Sequence, residues 1–210
     1  MEGLVFLVGV IGNIVAVLLF LSPVKTFLRI VNNWSTEDFE SFPYICTLLN
    51  SSLWTYYGII KPGSYLVATV NGFGVVVEII YVALFLFFAP PWKRAKTGIL
   101  FAVVNIGFFG AAVSTTYLLL RGDVRIRAIG FMSSAFNIIM YASPLAIMKT
   151  VVTSKSVEYM PFLLSFCLFL NGFVWSFYAL LVHDWFLGVS IRIFISSLQI
   201  YTHVLVLYIS

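Results

Sequence analysis

The chain has 210 residues, of which 61% are hydrophobic, 18% are aromatic and only 10% are charged. An ordinary soluble domain carries about 25% charged residues, and the mean hydropathy here is +1.05, so the composition excludes a water-soluble fold. The formal net charge of +4 comes from basic residues between apolar runs. That distribution is typical of residues that set membrane topology, and nucleic acid is not expected as a partner.

Seven apolar stretches follow one another along the chain, at residues 4–24, 42–60, 65–89, 97–120, 128–148, 161–182 and 185–209. A helix of about 20 apolar residues crosses the hydrocarbon core of a bilayer. The segments between the stretches are short and carry turn residues or charges, as in Lys61-Pro62-Gly63. The sequence therefore predicts an all-α, multi-pass membrane protein with seven transmembrane helices surrounded by lipid.

Basic residues are unevenly divided between alternate loops. One set of loops carries Lys25, Arg29, Lys93, Arg94, Lys96, Lys149 and Lys155. The other set carries Lys61, Arg121, Arg125 and Arg127. Because cytosolic loops are enriched in Lys and Arg, this bias predicts a non-cytosolic N-terminus. The glycosylation sequon at Asn33 would then face the cytosol and stay unmodified.

The chain repeats itself at a spacing of 121 residues. The matched residues include Gly9 with Gly130, Ser22-Pro23 with Ser143-Pro144, Glu37 with Glu158, Asn50 with Asn171, Trp54 with Trp175, and Tyr57 with Tyr178. The first three spans thus recur as the last three, and an unpaired fourth span brings the two copies into parallel orientation. We predict a 3+1+3 arrangement, with a first three-helix repeat at 4–92, a linker helix at 93–124 and a second repeat at 125–210. Parallel repeats are a transporter architecture whose substrate site lies at the repeat interface.

Four prolines occupy related positions in the two repeats, namely Pro23, Pro43, Pro144 and Pro161. The predicted topology places all four towards the cytosol. Proline lacks the amide hydrogen that a helix needs and permits a kink. We expect a symmetric gate at this end of the spans, because unrelated prolines would not follow the repeat.

Two tryptophans and one asparagine are the best candidates for substrate contact. Trp54 and Trp175 are related by the repeat, and an indole can cover the apolar face of a neutral, polyhydroxylated solute. Asn71 lies inside the third span, where its amide can donate to one hydroxyl group and accept from another. Packing of the indoles and an interhelical hydrogen bond from the amide are the structural alternatives.

Catalysis and ion coupling find little support in the residue pattern. Only one acid, Glu78, lies well inside a span, and the sequence shows no nucleophile with its base and no metal-ligand set. We therefore expect facilitated diffusion, no enzymatic activity and no cofactor. A seven-helix receptor is the alternative from another class, although it would not require the repeat.

Several motifs together resemble the SWEET family of sugar transporters, and the plant vacuolar type most closely. The resemblance covers about residues 5–189 and rests on Ser22-Pro23, Ser35-Thr36-Glu37, residues 50–58, Thr69-Val70-Asn71-Gly72, Tyr141-Ala142-Ser143-Pro144 and residues 154–161. It implies a bidirectional uniporter of mono- or disaccharides such as glucose, fructose or sucrose, in the plasma or vacuolar membrane. It also implies homo- or hetero-oligomers.

The resemblance assigns roles to individual positions. It implies that the four prolines form a cytosolic tetrad and that Asn71, Trp54 and Trp175 line the substrate pocket. It further implies that Ser22 and Ser143 line the pocket and that Tyr57 belongs to the gate on the opposite side.

One departure from the family pattern lies near the C-terminus. After Val189 the family pattern expects Pro-Asn-Gly, whose Asn is the partner of Asn71, but this chain reads Ser190-Ile191-Arg192. We expect no further match beyond Ser190. A transport-impaired isoform that assembles with intact homologues is therefore a second hypothesis.

Overall fold

A computed structural model describes residues 2–154 and 162–189, with the backbone alone for 141–154 and for most of 162–169. Within these ranges the chain is helical and has no strand. The helices are α1 (Glu2–Phe20), α2 (Val24–Asn32), α3 (Phe42–Ile60), α4 (Tyr65–Phe88), α5 (Pro91–Phe101), α6 (Phe109–Leu119), α7 (Gly122–Ser154) and α8 (Phe162–Leu181). A π-helical segment, Ala102–Phe108, joins α5 to α6, and residues 185–189 begin a further helix.

Two of the helices match their predicted spans closely. Helix α3 has the predicted bounds, and α4 ends one residue before its predicted limit. Three stretches of the described chain are long and apolar enough to cross a membrane by length and composition: Glu2–Asn32, Tyr65–Phe88 and Pro91–Leu119. Helix α3 reaches 19 residues, but its polar Asn50, Ser51 and Ser52 lower its hydropathy. Those polar residues lie two to four positions before Trp54, for which the sequence predicts substrate contact.

The chain forms two compact units, which divide it differently from the predicted repeats. One unit is Phe20–Gly130, and the other combines Met1–Leu19 with Phe131–Ser210. The predicted division at 4–92, 93–124 and 125–210 follows sequence repetition and stays a prediction.

Helices α3 and α4 form an antiparallel pair inside the unit Phe20–Gly130. A methyl group added at Gly58 would lie 2.6 Å from the Ala68 nitrogen, so the two backbones are nearly in contact at this point. Further along, a methyl group on Gly72 would lie 4.0 Å from the Thr55 Cγ2. Small residues permit such close approach between membrane helices. This register brings the Trp54 and Asn71 regions to the same level of the pair.

The other unit has a related crossing with the small residues exchanged. A methyl group on Gly188 would lie 3.9 Å from the Ala179 Cβ, which is an ordinary contact. In the first repeat the glycine is on the second helix and the alanine on the third. In the second repeat the alanine is on the second helix and the glycine follows on the third. Both crossings thus keep small side chains at the meeting point.

The first predicted span is not one continuous helix. Helix α1 ends at Phe20 and α2 begins at Val24, with residues 21–23 forming a turn. The related Ser143-Pro144 lies inside the uninterrupted α7, which runs for 33 residues. The same Ser-Pro dipeptide therefore accompanies a break in one repeat and a continuous helix in the other.

Candidate functional site

The two repeats build the same aromatic pair from separate parts of the chain. The ring centroids of Trp54 and Tyr57 lie 5.3 Å apart with an interplanar angle of 86°. Those of Trp175 and Tyr178 also lie 5.3 Å apart, at 70°. All four side chains are buried. The sequence repeat is therefore also a repeat of side-chain geometry at the predicted substrate positions.

Space for one indole comes from a glycine of α1. A methyl group on Gly12 would lie 3.0 Å from Trp175 Cε2 and 3.2 Å from its Nε1. Such a separation is too short for an unstrained contact, so a larger residue at position 12 would displace the ring. Gly12 therefore lets α1 lie directly against the indole.

Several buried polar atoms around these tryptophans have no hydrogen-bond partner among residues 2–154 and 162–189. They include the side-chain oxygens of Asn50 and Asn171, the hydroxyl oxygen of Ser51 and the ring nitrogen of Trp54. Asn50 and Asn171 each precede a tryptophan by four residues, which is about one helical turn. Buried polar groups are usually paired, and an unpaired amide oxygen at each of two repeat-related positions is typical of a residue that binds a polar ligand.

The sequence analysis paired Asn50 with Asn171 through the repeat but did not name them as candidates for substrate contact. Their spacing from the tryptophans and their relation by the repeat are signals that the sequence already contains. The missing information was whether the amides find partners within the fold. Packing decides that, and the printed sequence does not show it.

Within residues 2–154 and 162–189, the Asn71 side chain makes one hydrogen bond, from its nitrogen to the Val67 carbonyl at 2.9 Å. This bond stays within α4 and fixes the direction of the amide. An asparagine amide has two N–H groups and an acceptor oxygen. The Val67 bond therefore orients the group and occupies only one of its donors.

The structure places the prolines in three kinds of position. Pro23 caps α2 at the break, whereas Pro43 lies in the first turn of α3, where a missing amide hydrogen costs little. Ser143 and Pro144 are interior residues of α7. Pro161 is outside the described residues. Ser22 is exposed in the break. Among the three of these prolines that the structure describes, Pro23 alone coincides with an interruption of a helix.

Tyr57 marks the opposite end of α3 from Pro43. Its hydroxyl oxygen accepts a hydrogen bond of 3.0 Å from the Lys61 ammonium group, which also lies 5.3 Å from the ring centroid. A cation held this way gives the ring a fixed position. Lys61 is thus a structural partner of the predicted gate residue.

Hydrogen bonds from charged and polar side chains stabilise the loop between α2 and α3, at the end of α3 where Pro43 lies. The Arg29 guanidinium donates to both carboxylate oxygens of Glu37, and the Asn33 amide donates to one of them at 2.7 Å. The hydrogen bond from Arg29 and then that from Asn33 lower the pKa of Glu37 below its ordinary value of 4.5. Lys93 of α5 donates to the carbonyl groups of Glu37 and Phe39 at 2.7 and 3.1 Å.

Comparison with known proteins identifies the family to which this helical chain belongs. Residues 6–93 and 127–209 match the family described as sugar efflux transporters for intercellular exchange. The chain belongs to this family, the SWEET transporters. The match comes as two stretches and leaves out residues 94–126 between them.

Curated SWEET proteins and a solved structure are similar over most of the chain. SWEET17 of Arabidopsis thaliana is 60% identical over 87% of this chain and 76% of its own length. SWEET16 of the same plant is 54% identical over 97% of this chain and 90% of its own length. Both are described as bidirectional sugar transporters. A solved eukaryotic SWEET transporter is 39% identical with a TM-score of 0.87, covering 95% of this chain and 96% of that one.

These findings confirm the predicted all-helical membrane fold, and the 3+1+3 arrangement agrees with the family. They favour a transporter over a seven-helix receptor or an enzyme. They also correct one expectation about the C-terminus, because the family match continues to residue 209. Short motifs alone did not show this similarity, because Ser190-Ile191-Arg192 replaces the Pro-Asn-Gly motif just before it.

Proposed function

We propose that this chain is a passive, bidirectional sugar uniporter that works by alternating access. The observation that carries the proposal is the pair of repeat-related clusters in which a buried tryptophan lies one turn from an asparagine with an unpaired oxygen. Membership of a sugar transporter family supports the same substrate class.

A sugar supplies what these clusters lack. In each cluster a sugar hydroxyl group can donate to the free asparagine oxygen, and in the first cluster a hydroxyl oxygen can also accept from the ring nitrogen of Trp54. The apolar face of the sugar ring packs against the indoles. Because buried unpaired polar atoms are costly, a ligand that pairs them is favoured over one that lacks hydroxyl groups.

The Asn71 amide is a further group that can bind a sugar hydroxyl. Its hydrogen bond to the Val67 carbonyl fixes the direction of the amide. Ser22 and Ser143 are further pocket residues by resemblance. The uptake experiment below decides whether the sugar is glucose, fructose or sucrose.

The prolines and Tyr57 act as gates at opposite ends of the spans. The four prolines face the cytosol, the N-terminus is non-cytosolic, and the membrane is the vacuolar or plasma membrane, with the vacuolar type favoured by the resemblance. Oligomers with copies of this chain or with other family members complete the proposal.

Transport proceeds without a coupling ion. Glu78 is the acid buried within a described span, and its Oε2 atom has no hydrogen-bond partner in the described part of the chain. A proton relay needs a series of titratable groups at membrane depth. A single acid does not provide that series.

The C-terminal departure supports the second hypothesis, that of a transport-impaired partner of intact homologues. Ile191 stands where the family pattern expects the second pocket amide, and an apolar side chain cannot bind a hydroxyl group. Reduced uptake by an intact homologue on co-expression would favour this hypothesis.

Uptake of radiolabelled glucose, fructose and sucrose in a transport-deficient host tests the proposal. We would compare the natural chain with a triple variant carrying Ser190→Pro, Ile191→Asn and Arg192→Gly, at equal surface expression. Uptake by the natural chain supports the uniporter, and uptake by the triple variant alone supports the impaired isoform. Absence of uptake by both would contradict the assignment.

Trp54→Ala, with Trp92→Ala as its matched control, tests the site itself. Trp54 is 3% exposed and Trp92 is 62% exposed. We expect the first variant to lose at least nine-tenths of the uptake and the second to keep it. Equal uptake by both variants would show that Trp54 does not contribute to sugar binding.

A further inference from the structure

The break in the first span leaves a main-chain carbonyl group without its helical donor. In a continuous helix the Val24 amide would donate to the Phe20 carbonyl, four residues earlier. Here it donates instead to the Leu21 carbonyl, at 3.1 Å. A carbonyl group freed inside a membrane needs another donor, because lipid offers none.

Tyr81 of α4 supplies that donor. Its hydroxyl group donates to the Phe20 carbonyl at 3.0 Å, and the residue is 4% exposed. The ring of Tyr81 also stacks on that of Phe27 in α2, with centroids 4.3 Å apart and planes 10° apart. One side chain therefore holds the last residue of α1 and the first turn of α2.

Gly74 forms the second part of this contact, two helical turns before Tyr81 on the same face of α4. A methyl group at Gly74 would lie 2.7 and 2.8 Å from the Phe20 Cε1 and Cε2 atoms. The absence of a side chain thus provides the space in which the Phe20 ring lies. Phe20 is held at its carbonyl by Tyr81 and at its ring by Gly74.

The second repeat shows that the Ser-Pro dipeptide does not dictate the break. Ser143-Pro144 carries the same two residues, yet α7 is continuous across them. Proline in a helix interior weakens the hydrogen-bond ladder without specifying how far it opens. The interactions around Phe20 are therefore needed to explain why the first span is divided.

We propose that Tyr81 is a positioning residue for transport, whose hydroxyl group stabilises the broken form of the first span over a continuous one. In the broken form the Tyr81 hydroxyl group takes the place of the Val24 amide as donor to the Phe20 carbonyl, whereas in a continuous helix that amide would already satisfy the carbonyl and the hydroxyl group would add less. Loss of the hydroxyl group shifts the balance towards the continuous form. The proposal rests on the proposed function only in assuming that this hinge moves during transport.

Spin labels on either side of the break measure this balance directly. The labels are attached at Leu7→Cys and Leu28→Cys, which replace side chains 55% and 56% exposed, in a full-length chain carrying Cys46→Ala and Cys167→Ala. A continuous helix would separate these positions by about 32 Å, at about 1.5 Å per residue. Pulsed electron paramagnetic resonance in lipid bilayers then gives the fractions of the two forms.

We expect Tyr81→Phe to raise the ratio of continuous to broken form about fivefold, as the loss of one ordinary hydrogen bond would do. Gly74→Ala should shift the ratio in the same direction because it displaces the Phe20 ring. Tyr44→Phe is the matched control: its ring lies 4.8 Å from that of Phe27, but its hydroxyl group makes no hydrogen bond within the described chain.

An unchanged ratio in Tyr81→Phe, or an equal shift in Tyr44→Phe, would overturn the proposal. The distances are measured without sugar, so a failure of the hinge can be told apart from a failure of the transport function. Net uptake by Tyr81→Phe should also change severalfold in Vmax, with the affinity for sugar within twofold of the natural chain. A change in affinity alone would likewise argue against a positioning role.

Discussion

Replacement of Gly58 by alanine should destabilise the protein, because the new methyl group has no room between α3 and α4. It would lie 2.6 Å from the Ala68 nitrogen, 2.9 Å from the Ala68 Cβ and 2.9 Å from the Ser64 oxygen. Two of these atoms belong to the backbone and cannot rotate away. The Ser64 carbonyl also accepts the Ala68 amide at 3.2 Å, so the methyl group would separate the first turn of α4 from its neighbour.

Overpacking of this kind costs about 1–3 kcal/mol. In a chain of this length, about 2 kcal/mol lowers the melting temperature by about 4–8 °C. The assay is thermal unfolding of the purified protein in detergent, followed by tryptophan fluorescence.

Gly188→Ala is the matched control for Gly58→Ala. Its methyl group would lie 3.9 Å from the Ala179 Cβ, at the related crossing of the other unit. We expect its melting temperature to stay within about 1 °C of the natural chain, because no atom has to move. If the two variants melt at the same temperature, the close contact at Gly58 does not make the added methyl group destabilising.

Three further changes test the loop and the site. Lys93→Met should lower the melting temperature by about 4–8 °C, because two carbonyl groups lose a buried donor, whereas Lys96→Met, which removes an exposed ion pair, should change it by less than about 1 °C. Arg29→Gln should destabilise the protein at pH 7. Since the pKa of Glu37 is lowered in the folded state, this difference should vanish as the pH falls through that lowered value, as melting curves across the pH range would show. Asn50→Ala should reduce sugar uptake without lowering the melting temperature, because its oxygen has no partner to lose. A parallel fall in uptake and stability would assign it a structural role.

Much of the fold follows from the sequence because bilayer thickness and helical hydrogen bonding leave few alternatives. The bounds of α3 were predicted to the residue. The 121-residue register correctly paired Trp54 with Trp175, and the structure gives both the same aromatic neighbour at the same distance.

Features that depend on distant contacts could not be predicted. The break before Pro23 is fixed by Tyr81, some 60 residues away, and the same dipeptide in α7 leaves the helix intact. Lys93 was counted as a charge that sets topology, but its ammonium group is buried and bound to two carbonyl groups. The free oxygen of Asn50 is equally a result of packing. In each case the residue type was visible in the sequence and its partner was not.

Solute counterflow with the purified chain in proteoliposomes tests the uniporter most directly. Vesicles loaded with unlabelled sugar would be diluted into radiolabelled glucose, fructose or sucrose, with no ion gradient across the membrane. For a passive uniporter we expect transient accumulation of at least one sugar, which Trp54→Ala abolishes and a change of pH gradient leaves unaltered. Folded protein that gives no counterflow with any of the three sugars, or only with an imposed ion gradient, would contradict the proposed function.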